Sequence, residues 1–304
     1  MSTNMTADPA TDRAMAEEGG GSLGRDAIRR LRRSPTAIVG AVLVVIFVIV
    51  AVFAPLLAPY SPTAVDLTNL RPGDFPGPSA EHLLGLDQLG RDELSRIIYG
   101  ARYSLLIGIV SLSLGAVVGL TLGLLAGAFG GWVDSLVMRL VDIMLAVPSL
   151  LLAIGIAALL GRSIVSVMIA IAVVNVPIFA RLLRGSMLAQ RQSDYALAAR
   201  SLGVSRTKVV LLHVFPNSLA PVIVQGTLAL ATAIIEAAGL AFLGLGSQDP
   251  AIPEWGRMLA ETNQFLASAP LLALWPGLAI VLSVMGFYLL GEALREALDP
   301  KLRR

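Results

Sequence analysis

The sequence contains no cysteine, few charged residues and only two histidines. Of its 304 residues, 14% are Asp, Glu, Lys or Arg. The absence of cysteine excludes disulfides and thiolate metal sites, and His82 and His213 are too widely separated to indicate a metal-ligand pair. The chain also lacks a GxxxxGKS or GxxxxGKT phosphate-binding loop, so any use of ATP must come from a partner. A net charge of +2 gives no indication of a nucleic-acid-binding surface.

What the sequence has in abundance is apolar residues, which make up 56% of the chain. This composition is typical of a multi-spanning membrane protein. We predict an all-α polytopic membrane protein of about six transmembrane helices, at approximately 37–57, 104–129, 141–160, 164–182, 219–245 and 271–290. Prolines are predicted to kink or interrupt four of these spans, at Pro148, Pro177, Pro221 and Pro276.

The chain is predicted to divide into three regions. Residues 1–24 form a disordered tail, because they are polar and contain three consecutive glycines. Residues 25–102 contain the first span, begun by Ser34 and Pro35, and an external loop that includes an amphipathic helix at 86–103 lying at the membrane interface. Residues 103–304 form a domain of five transmembrane helices with a polar loop at 183–217.

Basic residues predict the orientation of the chain in the membrane. They cluster before the first span, in the 183–217 loop and at the C-terminus, so the positive-inside rule places both termini and this loop in the cytoplasm. The external segment carries three arginines that oppose this orientation, Arg91, Arg96 and Arg102. We favour the interpretation that they pair with Asp87, Asp92 and Glu93 over one in which they act in function.

Residues 193–217 are predicted to form two short helices joined at Gly203. Ser193 or Asp194 begins the first helix, and Gly203 supplies the left-handed turn that ends it. Ser205 is placed to cap the second helix and Pro216 to stop it. One face of the first helix groups Tyr195, Ala198, Ala199 and Leu202. An elbow of this kind between two spanning helices is suited to receive force from a partner.

Two basic residues, Arg206 and Lys208, fall in the first turn of the second helix. Cations there are unfavourable by about 0.3–1 kcal/mol, so something must offset them. Membrane topology or lipid headgroups would explain them, and so would an acidic surface on a partner.

The predicted spans contain one unusual repeat and two polar residues. Gly115, Gly119, Gly123 and Gly127 recur at every fourth position, which predicts close helix packing, either within the chain or between subunits. Asn175 and Glu236 are candidates for a translocation path. We interpret Asn175 as facing water, whereas Glu236 is as well explained by a structural bond to another helix.

Several stretches resemble the permease subunits of ABC importers. In that family the loop reads Glu-Ala-Ala, three residues, Gly, nine residues and Ile-x-Leu-Pro. Here Ala198-Ala199, Gly203 and Phe215-Pro216 match this pattern, but Leu197 stands in the position of the glutamate. Residues 25–304 resemble, more particularly, the second permease subunit of the dipeptide, oligopeptide and nickel branch of this family. The stretches that carry this resemblance are RRSPTAIVGAVL, HLLGLDQLGRDELSRIIYGARYSL, FLGLGSQDPAIPEWGRML and LREALDPKLR.

The resemblance implies a non-enzymatic permease that imports di- or oligopeptides through the cytoplasmic membrane. Its expected partners are a homologous permease, two ATP-binding subunits that hold ATP and Mg, an external substrate-binding protein and the lipid bilayer. The residues that would couple to the ATPases are Asp194, Tyr195, Leu197, Ala198, Ala199, Arg200, Gly203, Ser205 and Pro216. An importer of nickel or another small solute is the alternative within this family. An ion-coupled secondary carrier that uses Glu236 and Asn175 is the alternative outside it, but no inverted repeat supports it.

Overall fold

The computed structural model describes residues 28–68 and 75–298, and the described chain is helical with only isolated β-bridges. From residue 35 onward its α-helices are α1 Pro35–Val52, α2 Ala54–Leu57, α3 Glu93–Phe129, α4 Gly131–Ala146, α5 Ser149–Leu160, α6 Ile164–Gln190, α7 Asp194–Ser201, α8 Arg206–Lys208, α9 Phe215–Asn217, α10 Ala220–Phe242, α11 Trp255–Thr262 and α12 Pro270–Leu298. A π-helical segment, Val209–Val214, joins α8 to α9. The all-α prediction is confirmed. The predicted tail at 1–24 lies outside the described residues.

Five helices are long and apolar enough to cross a membrane, namely α1, α3, α6, α10 and α12, and α4 with α5 form a sixth candidate. The latter pair is bent by 92°, so residues 141–160 form either a broken span or a re-entrant loop and not one continuous helix. Val147, between the two helices, has an extended backbone with ψ of 131°. The following Pro148 explains the break, because proline disfavours helical geometry in the residue before it and cannot donate a hydrogen bond.

The other prolines have different effects on their helices. Pro177 lies inside α6 and Pro276 inside α12, as predicted. Pro221 is in the first turn of α10, where its missing N–H costs no helical hydrogen bond. The prediction that Pro221 interrupts the fifth span is therefore wrong. Ser34 is the N-cap of α1 and accepts a hydrogen bond from the Ala37 N–H at 3.4 Å, as its position before Pro35 predicts.

The bundle has a lower end, which carries residues 191–217, and an upper end, which carries residues 58–68, 75–92 and 243–269. Helix α3 runs from the upper to the lower end, where Arg191 donates a hydrogen bond to the Gly127 carbonyl at 2.7 Å. At the upper end, the N–H of Tyr60 donates to Ser95 Oγ in the first turn of α3 at 3.0 Å. Helix α6 lies alongside α3 through most of this length.

The four-residue glycine repeat of α3 faces α6. A Cβ built on Gly115 would lie 2.6 Å from the Ala172 carbonyl oxygen, and one on Gly123 would lie 2.6 Å from that of Ala180. Because only glycine lets two backbones approach this closely, the repeat determines how α3 packs on α6. Packing within the chain is therefore the correct alternative for these glycines, and the subunit interface is not.

The segment at 86–103 is not an amphipathic helix lying at the membrane interface. Residues 86–92 form a loop, and residues 93–103 are the first turns of the single long helix α3. The predicted domain boundary after residue 102 consequently falls within this helix. Trp255 is fully buried in the upper end, although an aromatic residue beside an apolar span also fits a membrane interface. Its indole N–H donates to the Ile97 carbonyl at 3.0 Å and its ring covers Gly100.

A buried ion-pair cluster holds the upper end together. Arg91 Nε contacts Asp87 at 2.7 Å, as predicted, but Arg91 and Arg96 also reach Glu261 of α11, at 3.2 and 3.0 Å. Asp92 and Glu93 do not pair with these arginines within the described residues. The Asp92 carboxylate instead caps α3, accepting from the Ser95 N–H at 2.7 Å. Two of the three arginines that opposed the predicted membrane orientation, Arg91 and Arg96, are therefore explained by burial among carboxylates. The third, Arg102, is exposed.

Candidate coupling segment and polar groove

Residues 193–217, which we call the coupling segment, form a compact elbow at the lower end of the bundle. Helix α7 ends in a turn at Gly203, whose φ is +79°. This left-handed geometry is the one predicted, and it favours glycine over residues with a Cβ. The chain then continues through α8, the π-helical segment and α9 toward α10. Two helices hinged at Gly203 are therefore confirmed, although the second contains a π-helical segment that its sequence did not indicate.

The elbow is fixed to the ends of α3 and α6 by hydrogen bonds and by apolar packing. Arg191, two residues before the elbow, donates to the Gly127 carbonyl at 2.7 Å. Arg206 donates to the carbonyls of Ala128 and Phe129 at 3.2 and 3.3 Å. The apolar side chains that pack beneath the elbow are Phe179, Leu183, Met187, Ala196, Val209, Val210 and Val214. The elbow is thereby attached to both α3 and α6.

Arg206 has a clear structural role that neither explanation from the sequence included. Its guanidinium contacts the last carbonyls of α3, where the helix dipole is negative and cations are favourable. This contact offsets the unfavourable position of Arg206 in the first turn of α8. Lys208 is exposed, so for this residue the two explanations from the sequence, topology or lipid headgroups and an acidic partner surface, stay predictions.

The apolar face of the elbow points outward. Ala196 is the buried residue of α7, whereas Tyr195, Ala198 and Leu202 are exposed. Three of the four residues of the predicted face thus point away from the bundle, while the fourth, Ala199, is half-buried against it. Leu202 exposes 83% of its surface. The large apolar residues of the outer surface are Tyr195, Leu197, Leu202, Leu211 and Leu212, and this set is called the outer apolar face.

The polar candidates of the elbow occupy ordinary helix-end positions. Asp194 is in the first turn of α7 and Arg200 in the last, both favourable with respect to the helix dipole. Ser193 and Ser205 occupy the N-cap positions of α7 and α8, but neither side chain makes a capping hydrogen bond. The Ser193 hydroxyl donates instead to the Gln190 carbonyl at 2.6 Å. Pro216 lies inside the short helix α9, and the chain resumes a helix at Ala220.

The two polar residues predicted for the path lie in different environments. Asn175 is buried between α6 and α3. A Cβ built on Gly115 of α3 would lie 3.0 Å from the Cβ of Asn175. Its amide donates to the Ile171 carbonyl of its own helix at 2.9 Å. Asn175 therefore does not face water, because the glycine repeat brings α3 directly onto it.

Glu236 shares one side of α10 with Gln225 and Thr232, which precede it by 11 and 4 residues. All three are at least partly exposed on the protein surface. The Glu236 carboxyl approaches Ser149, the first residue of α5, and its Oε2 has no hydrogen-bond partner in the described chain. A polar stripe of this kind is costly against lipid, so it fits a side of the bundle that faces water or another subunit.

Two ion pairs join α4 to α6. Arg184 contacts both carboxylate oxygens of Asp134, at 2.7 and 2.6 Å. Arg181 pairs with Asp142, and the two side chains expose 54% and 63% of their surface. The sequence analysis did not predict either ion pair. A signal was present, because the charged residues Asp134, Arg139 and Asp142 in an otherwise apolar stretch indicate that α4 does not face lipid on all sides.

Nothing in the described part of the chain groups three His, Cys, Asp or Glu residues in a way that would hold a metal ion. The expectation that ATP and Mg bind to partner subunits stays a prediction.

Comparisons with known proteins cover most of the chain. Residues 119–304 match the family described as binding-protein-dependent transport system inner membrane component, and residues 22–72 match the N-terminal TM domain of oligopeptide transport permease C. A solved structure of the MetNI methionine ABC transporter in inward-facing conformations superposes with a TM-score of 0.54 over 66% of this chain and 96% of that one. At 18% identity, this likeness supports the fold.

Curated relatives are similar over nearly all of their length. The dipeptide transport system permease protein DppC of Alkalihalophilus pseudofirmus is 48% identical over 92% of this chain and 90% of its own. The di/tripeptide transport system permease protein DppC of Pseudomonas aeruginosa is 46% identical over 88% of each chain. The glutathione transport system permease protein GsiD of Pectobacterium atrosepticum is 42% identical over 92% and 91%. The chain therefore belongs to the inner-membrane permease family of binding-protein-dependent ABC importers, in the branch that contains the dipeptide and oligopeptide permeases.

Proposed function

We propose that this chain is one of two homologous permease subunits that together import peptides, driven by two ATPases at the lower end of the bundle. The observation that carries the proposal is the outer apolar face, which is solvent-exposed while the segment beneath it is bound to α3 and α6. A soluble partner that covers this face would be attached directly to two spanning helices. The lower end is accordingly cytoplasmic and the upper end faces an external binding protein.

The apolar contact is large enough to drive a change of state. Moving a two-state equilibrium from 1:99 to 99:1 takes about 5.5 kcal/mol of differential binding. Burying a leucine is worth roughly 1.5–3 kcal/mol. Leu197, Leu202 and Leu212 expose 48%, 83% and 66% of their surface, so burying them fully in one state only would supply about 3–6 kcal/mol, which is of the required order. Leu197 in place of a glutamate makes this contact apolar where the family pattern has a charge.

Peptides are proposed as the solute because the similar relatives are named for dipeptide, di/tripeptide and glutathione transport. An ion-coupled carrier is less well supported, since Asn175, one of the two residues it would use, is buried in helix packing. Nickel import is also less well supported, because the described residues lack a cluster of metal ligands.

The proposal is tested by isolating the chain with its subunits and reconstituting it. Tagged chain should co-purify with a second permease and two ATPases, and vesicles containing the complex should take up labelled dipeptide when ATP is enclosed and binding protein is outside. Vanadate should stop uptake and an uncoupler should not. Uptake that is insensitive to vanadate and collapses with an uncoupler would contradict the proposal.

The absence of cysteine allows the orientation to be tested in the same material. In spheroplasts, a membrane-impermeant maleimide should label Thr63→Cys, an exposed residue of the upper end, and leave Ser205→Cys unlabelled until the membrane is permeabilised. The reverse pattern would mean that the ATPases cannot reach the coupling segment.

A further inference from the structure

A cavity of about 550 Å³ lies at the lower end, between α6, the start of α10 and the end of α12. This volume is within the range of small-molecule sites, about 300–1,000 Å³. Its wall is formed by Leu182, Ser186, Gln190, Asn217, Ala220, Pro221, Val224, Gln225, Leu228, Arg295 and Leu298. The cavity is therefore placed where the spanning helices join the coupling segment.

The polar side chains of the wall are neutral amides, one hydroxyl and one cation. Gln190 uses its Oε1 to accept from the Tyr195 hydroxyl at 2.7 Å, which leaves its amide NH₂ to donate. Asn217 donates its amide to the His213 carbonyl at 2.7 Å, which leaves its Oδ1 to accept. Gln225 offers both kinds of group. These are the groups that match the N–H and C=O of a peptide bond.

Arg295 gives the cavity a positive charge, and no acidic residue lines it within residues 28–68 and 75–298. The nearest carboxylate on α12 is Glu292, whose oxygen is 3.9 Å from Arg295 on an exposed surface, so this contact is loose. The positive end of the α10 dipole lies at the same cavity, at Ala220 and Pro221. A carboxylate is therefore favoured at this wall, and Arg is suited to bind it through two N–H groups.

We propose that this cavity is an exit site that binds a peptide through its free α-carboxylate, with Arg295 as the carboxylate ligand and the amides of Gln190, Asn217 and Gln225 on the peptide backbone. The inference rests on the proposed function, because it names what the permease holds at its lower end. It predicts that peptides with a blocked C-terminus bind more weakly at this cavity than free peptides do.

The test uses the complete complex in detergent and the variant Ser186→Cys, which places one thiol in the wall of the cavity. This chain has no other cysteine, so the mass of the chain reports alkylation by maleimide even where partners carry thiols. The rate of alkylation is measured against concentration of alanyl-alanine, alanyl-alanine amide and acetate. We expect alanyl-alanine to slow labelling at concentrations at least tenfold lower than the amide requires, because a hydrogen bond to a charged group is lost in the amide.

The matched control is Ala189→Cys, an exposed position on the same helix that does not line the cavity. Its labelling should be unaffected by any of the three compounds. In Arg295→Gln/Ser186→Cys, the difference between peptide and amide should disappear. Because Arg295 is exposed, this variant should retain the stability and assembly of the parent.

The other possible results of this experiment each contradict the exit site, the proposed function or both. Equal protection by peptide and amide overturns the carboxylate site, and so does protection by acetate at the same concentration as alanyl-alanine, since the site would then hold any small carboxylate. Dipeptide uptake by reconstituted vesicles without protection of Ser186→Cys overturns the exit site and leaves the proposed function standing. Failure of those vesicles to take up any peptide with ATP overturns the proposed function, and the exit site with it.

Discussion

Gly119 of α3 lies directly against the backbone of Val176 of α6. A Cβ built on Gly119 would be 2.5 Å from the Val176 carbonyl oxygen and 2.8 Å from the Cβ of Phe179. Neither neighbour is the flexible end of a side chain, so the clash can be relieved only by moving one helix. Because the same helix pair carries the coupling segment, this contact connects packing in the membrane with the attachment of the elbow.

Gly119→Val is expected to destabilise the folded chain. Overpacking costs about 1–3 kcal/mol and more where backbone must shift, as it must here. The thermal midpoint of the purified chain should fall clearly. Gly155→Val is the matched control, because Gly155 lies inside α5 with no atom near a built Cβ. An equal fall in both variants would mean that the effect comes from helix propensity and not from the α3–α6 contact.

How far the sequence predicts the fold depends on the range of the interaction involved. The glycine repeat and the turn at Gly203 are local signals, because a stripe of small residues or one left-handed residue has few structural solutions. Pro148 likewise marked the place of a break in the third span. The angle of 92° between α4 and α5 depends on how these helices pack on their neighbours, so it was not predictable from the proline.

The upper end shows what the sequence does not reveal. Arg91 and Arg96 pair with Glu261, which is 170 and 165 residues away in the chain. No local pattern indicates such a partner, and nearby carboxylates such as Asp92 are equally plausible from sequence. The burial of Trp255 is likewise not evident from the sequence, because an aromatic residue beside apolar spans also fits a membrane interface. Its burial depends on Gly100, which leaves room for the indole.

His82 should make the upper end less stable as pH rises. Burial lowers the pKa of His82, but its hydrogen bonds to Asp92 and Asp66, at 2.9 and 3.4 Å, more than reverse this, so the pKa lies above the usual 6.5. The protonated ring therefore stabilises the folded state fully below pH 6.5, and this contribution is lost as pH rises through the raised pKa.

The measurement is the thermal midpoint of the purified chain at pH 6 and pH 8. The wild-type chain should unfold at a lower temperature at pH 8, by on the order of 2 °C, and His82→Gln should show a smaller difference. His213→Gln is the control, since His213 is exposed at the lower end and is the chain's other histidine. A pH difference unchanged by His82→Gln would show that other groups cause it.

Gly203→Val should separate ATP hydrolysis from uptake. The space around Gly203 is open, so the substitution acts through its φ of +79°, which a β-branched residue adopts only with strain. The turn should relax and change the angle between α7 and α8. We expect ATPase activity of the assembled complex to persist while uptake falls at least tenfold.

Gly203→Asn is the control for that experiment, because asparagine tolerates left-handed geometry better than other residues with a Cβ. It should retain most of the uptake. If Gly203→Val transports as well as the wild-type complex, the turn has no role in transmitting force.

Leu202→Ala should weaken assembly with the ATPases. Leu202 is the most exposed residue of the outer apolar face, at 83%, and has no role in the packing beneath the elbow. If the partner buries it, its loss should raise the dissociation constant about tenfold, the equivalent of 1.4 kcal/mol. Leu159→Ala is the matched control, since Leu159 is 89% exposed near the C-terminal end of α5, outside the coupling segment. Titration of purified ATPase onto the permease pair in nanodiscs measures both variants. Equal affinity for Leu202→Ala and wild type would mean that the outer apolar face is not where the ATPase binds.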